Sequence, residues 1–181
     1  MKIIEIDELR FEPFIDYEQI KKRIRLIAID INLKYEDKNP VFIGVLNGCF
    51  MFMADLMKEI EIDSEMSFVK LSSYHGTEQG DLSQLIGVGI DIKDRNLIVV
   101  EDVVDSGNSL KYTIDALQRE GVRDVAVCTL LLKPSCLQYD FDQIEYVGFE
   151  IEKEFVIGYG LDYNGKFRNL KDIYREVTLG D

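Results

Sequence analysis

Leu97-Ile98-Val99-Val100 is a run of four large apolar side chains with no polar residue between them. Successive side chains of a strand point to opposite faces, so such a run has to be covered on both sides. Comparable runs stand at Val41–Leu46 and in "VRDVAVCTLLLKP". Between them the period changes. "YEQIKKRIRLIAIDINLKYED" places Ile20, Ile24, Ile27 and Ile31 at three- and four-residue steps behind Asp16, a natural N-cap, and predicts a helix from about Tyr17. "CFMFMADLMKEI" predicts a second, apolar helix, and "SLKYTIDALQREG" a third, ended by Gly121. Further strands are predicted over "EMSFVKLSSY", "LIGVGIDI", "IEYVGF" and "FVIGYGL", with "HGTEQGDLSQ" as an exposed polar loop. Apolar strands alternating with helices define an α/β fold, a central parallel sheet flanked by helices. Ligands of such sheets sit at the carboxyl ends of the strands.

The 181 residues suit a single domain over residues 1–181. A formal net charge of −13 opposes binding to nucleic acid or to an anionic membrane. No stretch approaches the roughly 20 apolar residues of a membrane span, and "MKIIEIDELRFEPF" carries charges too closely spaced for a signal peptide. Three cysteines without metal-ligand spacing, and a single histidine, predict a reducing, cytoplasmic setting and neither zinc site nor disulfide framework.

The chemistry concentrates where the Leu97 strand ends. "LIVVEDVVDSGNSL" turns acidic at Glu101, Asp102 and Asp105, then small and polar at Ser106, Gly107, Asn108 and Ser109. A helix N-terminus leaves N–H groups unpaired and carries partial positive charge, which suits phosphate; Gly107 allows close backbone approach. Asp105 and Ser109 are equally acceptable as plain helix caps. Adjacent carboxylates gain nothing in a core, whereas a ribose diol and a divalent metal are natural partners for Glu101 and Asp102. Neither the glycine-rich nucleoside-triphosphate loop nor the dinucleotide fingerprint is present.

"VVEDVVDSGNSL" resembles the phosphoribosyl pyrophosphate motif of the type I phosphoribosyltransferases. Together with "GVLNGCFMFMADL", "KLSSYHGT", "LLLKP" and "VGFEIEKEFVIGYGLDYNGKFRNL", the likeness runs from about Pro40 to Leu170 and is closest to the hypoxanthine (guanine) branch of that family. The resemblance implies a small hood over the purine site, formed from N-terminal and C-terminal segments. It implies that Glu101 and Asp102 hold the ribose hydroxyls and that Asp105 is the catalytic acid/base near purine N7. Ser106 to Ser109 would cradle the 5′-phosphate, and Lys133 would contact the 6-oxo group. Phe155 would stack on the base and Val156 would read its edge through the backbone. Leu46-Asn47-Gly48 would form the pyrophosphate loop with a non-proline cis peptide, Arg168 would contact pyrophosphate, and Ser73-Tyr74 would sit on a loop that closes over the site. Mg2+ is the implied cofactor, with Asp162, Glu101 and Asp102 as its carboxylates. The implied partners are a purine base, phosphoribosyl pyrophosphate, a nucleoside monophosphate and pyrophosphate, and the implied assembly is a homo-oligomer, dimer or tetramer. The family often has a basic residue where Asn47 stands, so backbone N–H groups would carry that loop's contribution. Xanthine or another purine as substrate, and a regulatory RNA-binding homologue, are the alternatives; the second requires a basic face.

Overall fold

The computed structural model describes residues 3–73 and 82–177. Its principal sheet has six strands: β3 (Val41–Leu46), β4 (Glu65–Ser73), β5 (Leu82–Ile86), β6 (Asn96–Val104), β7 (Asp124–Leu132) and β8 (Ile144–Glu150), in the order β5-β4-β3-β6-β7-β8. The five neighbours β4-β3-β6-β7-β8 are parallel, and β5 closes one edge antiparallel to β4. Helix α1 (Tyr17–Lys34) and helix α2 (Phe50–Glu59) share one core with the sheet, built on Ile24, Ile31, Phe52, Phe42, Ile98 and Val100. Helix α3 (Asn108–Arg119) lies in the other core, where Leu110, Ile114 and Leu117 meet Val41, Ile43, Leu97 and Val99. Val41, Phe42 and Ile43 thus alternate between the two cores, as the uninterrupted apolar run requires.

Local signals set the element boundaries. Asp16 caps α1 with a reciprocal capping box: its carboxylate accepts from the Gln19 N–H at 2.8 Å, and the Gln19 side chain accepts from the Asp16 N–H at 3.1 Å. Gly121, at φ +76°, follows the C-cap of α3. α3 itself starts at Asn108, one residue before the predicted Ser109. Its N-cap is Gly107, at φ +84°, so neither Asp105 nor Ser109 acts as the cap.

The strand predicted over residues 85–92 is corrected. The pairing is at Leu82–Ile86, and the chain leaves the sheet at Gly87. Gly87 and Gly89 supply no side chain to pack and weaken a strand; of the stretch that follows, Ile92 is buried in the core, while Val88 and Ile90 pack against it partly buried. The loop predicted over residues 75–84 falls largely outside the described residues, while its last three residues belong to β5.

A second, antiparallel sheet joins the two ends of the described chain: β1 (Ile4–Ile6), β2 (Leu9–Ile15), β10 (Ile173–Val177) and β9 (Val156–Ile157), in the order β1-β2-β10-β9. Phe11, Ile157 and Tyr174 form its small core. "FVIGYGL" therefore yields only a two-residue strand, and that strand belongs to this sheet. β1 and β2 have no helical or alternating signature strong enough to announce them. Pro13 is tolerated in β2 because β1 pairs only as far as Phe11, so the missing N–H interrupts no ladder on that side.

Candidate active site

The carboxyl ends of β3, β6 and β7 converge, and each hands the chain to a loop rich in functional groups. β6 delivers Glu101 and Asp102. Glu101 is 5 % exposed, and burial, with the charge of Asp102 beside it, pushes its carboxyl well above the usual range. Asp102 is half-buried and accepts a hydrogen bond from the Val103 N–H at 2.9 Å. Burial raises its carboxyl to about 6, against the opposing pull of that N–H and of the Arg168 guanidinium; Asp162 adds to the rise. The two acids are thus inequivalent, Glu101 deep and Asp102 facing the next loop.

That loop is Leu46-Asn47-Gly48, between β3 and α2. The Leu46–Asn47 peptide is cis. Gly48 lies so close to Asp102 that a Cβ there would sit 1.5 Å from a carboxylate oxygen. No residue with a side chain fits without displacing Asp102, which explains the glycine by contact rather than by torsion.

After β6 the chain passes Asp105 and bends through Ser106 and Gly107 into α3. Gly107 is both left-handed and closely covered, since a Cβ would meet the Phe141 ring at 2.6 Å. Gln138 donates its N–H to the Ser106 carbonyl at 3.0 Å, and the Tyr139 hydroxyl bonds the Asn108 amide oxygen at 2.9 Å. The segment after β7 therefore braces this loop from behind, the Asn108 N–H donates to the Ser106 Oγ at 3.4 Å, and α3 brings the positive end of its dipole to the loop. Lys133, at the end of β7, is 8 % exposed, and its ammonium donates to Asp105 Oδ2 at 2.7 Å. Their separation of 28 positions is bridged by β6 and β7 running in parallel, which also bonds the Lys133 N–H to the Val104 carbonyl.

From the other sheet come Phe155 and Val156. Phe155 is 41 % exposed, with Phe11 and Tyr163 rings 6.0 and 6.1 Å away, so one face of a supported ring stays open. Val156 is buried and paired with Arg175 in β9–β10. Beyond β9, Arg168 donates to the Gly160 carbonyl at 2.7 Å and pairs with Asp162 at 2.6 Å, and Asp162 also accepts from the Gly165 N–H. Ser73 is the last residue of β4, and Tyr74 lies outside the described residues. The sequence carries no local signal for the braces Phe141 and Tyr139, whereas the hairpin residues Tyr159 and Gly160 stand in a Gly-Tyr-Gly triplet.

Among the described residues no group of three or more His, Cys, Asp or Glu side chains could hold a metal by itself. Mg2+ demands less, because it retains water and is commonly held by one or two carboxylates together with substrate phosphates. Asp102 and Asp162, near enough that the charge of Asp162 raises the Asp102 carboxyl, supply oxygen donors of that kind beside Arg168.

A parallel sheet with a helix-opening Ser/Gly loop and paired acids at its carboxyl end frames the site. The model of the phosphoribosyl transferase domain matches residues 16–164, and the chain belongs to that family. It is 37 % identical over 174 residues to the hypoxanthine phosphoribosyltransferase of Salmonella typhimurium, covering 94 % of this chain and 97 % of that one. It is 36 % identical over 158 residues to the bifunctional protein TilS/HprT of Listeria monocytogenes, where it covers 86 % of this chain but spans only 24 % of that longer protein. A crystal structure of a hypoxanthine-guanine phosphoribosyltransferase from Bacillus anthracis superposes with a TM-score of 0.85 at 36 % identity, over 97 % of this chain and all of that one.

Proposed function

We propose that this chain transfers the 5-phosphoribosyl group from phosphoribosyl pyrophosphate to N9 of hypoxanthine, and of guanine, releasing pyrophosphate in purine salvage. The observation that carries the reading is the Lys133–Asp105 pair, 2.7 Å apart and aimed from two adjacent strand ends. O6 and N7 are neighbours on one edge of a 6-oxopurine. An ammonium there donates to O6, and a carboxylate beside it receives the N7 proton. Adenine offers an amino donor at position 6, which an ammonium cannot bond.

In this reading the purine lies against the open face of Phe155, and the sheet β1-β2-β10-β9 serves as the hood. The 5′-phosphate rests on the N–H groups of Ser106 to Ser109, and Glu101 and Asp102 hold the ribose hydroxyls. The C1–O bond to pyrophosphate breaks as N9 supplies its lone pair to C1, through an oxocarbenium-like state. Asp105 takes the N7 proton as that bond forms. Arg168 and the N–H groups around Gly48 receive the charge that builds on the leaving group. Mg2+, held by Asp102 and Asp162 with Glu101 behind them, would neutralise pyrophosphate charge. Ser73-Tyr74 would help to exclude water.

No helix among the described residues is long and apolar enough to cross a membrane. Three free cysteines suit a reducing cytoplasm, and a homo-oligomer, dimer or tetramer, belongs to the same reading. The test is the preference for hypoxanthine over adenine in the unaltered chain and in Lys133→Met. The unaltered chain should use hypoxanthine and discriminate strongly, and Lys133→Met should lose much of that discrimination. Equal discrimination in both would remove Lys133 from base recognition, and no turnover of any purine by the unaltered chain would overturn the function.

A further inference from the structure

Tyr159 is fully buried although it carries a hydroxyl, and its backbone is left-handed at φ +49°. A tyrosine in that conformation costs free energy that neighbouring contacts must offset. The hydroxyl donates to Asp55 Oδ2 at 2.7 Å and lies 3.5 Å from the Met51 carbonyl, both on α2. Asp55 is held in turn: burial alone would raise its carboxyl, but hydrogen bonds from Lys58, Tyr159 and Tyr17, with the charge of Lys58, hold it below the usual value. The next residue, Gly160, touches the Leu46–Gly48 loop so closely that a Cβ would stand 2.0 Å from the Gly48 carbonyl oxygen. Gly160 also exchanges two hydrogen bonds with Arg168, through its own N–H at 2.9 Å and its carbonyl at 2.7 Å. A continuous chain of contacts thus runs from α2 through Tyr159 and Gly160 to Arg168 and Asp162, and returns through Gly48 to Asp102.

We infer that Tyr159 and Asp55 are positioning residues that lock the Gly158–Leu161 hairpin onto α2, and thereby fix Arg168 against the Leu46–Gly48 loop at the pyrophosphate end of the site. The inference rests on the transferase reading above. The locked hairpin sets the distance between the cation on one segment and the N–H groups on the other, so both meet the same anion without rearrangement. Neither residue touches the base or the 5′-phosphate loop, so the effect is confined to one end of the site.

The test compares calorimetric affinities for pyrophosphate and for IMP in the unaltered chain, Tyr159→Phe, Asp55→Ala, Asp55→Asn and the Tyr159→Phe/Asp55→Ala double variant. Tyr159→Phe removes one oxygen and keeps the buried ring, so its fold should persist. It should weaken pyrophosphate about five- to tenfold, the scale of coupling through a packed network, and leave IMP within about twofold. Asp55→Asn keeps an acceptor for the hydroxyl and should retain most of the affinity. The double variant should be no worse than Asp55→Ala alone, because the two residues act as one unit. Equal loss for both ligands, no loss for either, or additive losses in the double variant would overturn the inference. Failure of the unaltered chain to bind pyrophosphate at all would instead overturn the transferase reading, and the inference with it.

Discussion

Asp102→Asn tests the electrostatics of the site without any substrate. In the folded chain burial raises the Asp102 carboxyl from an ordinary 3.8 to about 6. The folded state therefore holds the proton more tightly than the unfolded chain does. Stability from this group is complete below the unfolded value and is lost as pH rises through the folded value. Two pKa units correspond to about 3 kcal/mol. The amide retains the acceptor for the Val103 N–H but cannot ionise, so it escapes that loss. Urea unfolding of both proteins from pH 4 to pH 8 isolates the contribution as a difference, because every other titrating group outside direct contact cancels. The variant should gain on the parent by about 2–3 kcal/mol across that range, mostly between pH 4 and pH 6. Relief of Glu101, which the charge of Asp102 also raises, adds to the gain. Pyrophosphate with Mg2+ should shrink the difference, since a bound cation favours the ionised acid. A stability difference that stays flat with pH would refute the claim that Asp102 is kept in a costly charged state for a ligand.

Other substitutions separate the parts of the site. Asp105→Asn should lower turnover by about 100-fold, the usual loss for a general acid/base, with little change in IMP affinity measured by calorimetry. Phe155→Ala should weaken all purines alike by about 1–3 kcal/mol in competition binding, because stacking on a flat ring is indifferent to ring substituents. Gly160→Ala should cost about 2 kcal/mol or more in urea unfolding and abolish tight pyrophosphate binding, since its Cβ would meet a backbone oxygen at 2.0 Å at a φ of +101°.

How much of this was legible in the sequence depends on the range of each interaction. The apolar run at Leu97 and the N-cap residue Asp16 are local signals, and they predict a two-sided sheet and a helix start that the structure contains. β2 depends on β10, where Arg10 pairs with Val177, so no local window could reveal it. The short strand at Val156 failed for the same reason, because its partner lies in the tail. The acids at Glu101 and Asp102 stood out as chemistry misplaced in a core, but their unequal burial depends on the close approach of Gly48. Lys133 before Pro134 looked ordinary until two parallel strands brought it to Asp105. Tyr159 and Asp55 lie 104 residues apart and use residue types common in any core or helix surface. Their pairing becomes visible only in three dimensions.

The most direct measurement is an incubation of the purified protein with phosphoribosyl pyrophosphate, Mg2+ and one purine at a time, with products separated by chromatography. Hypoxanthine should give IMP and guanine GMP, each with one equivalent of pyrophosphate, while adenine should give almost no AMP. Xanthine in the same series reports how the site treats a 2-oxo group. AMP as the main product, or no nucleotide from any purine, would contradict the account.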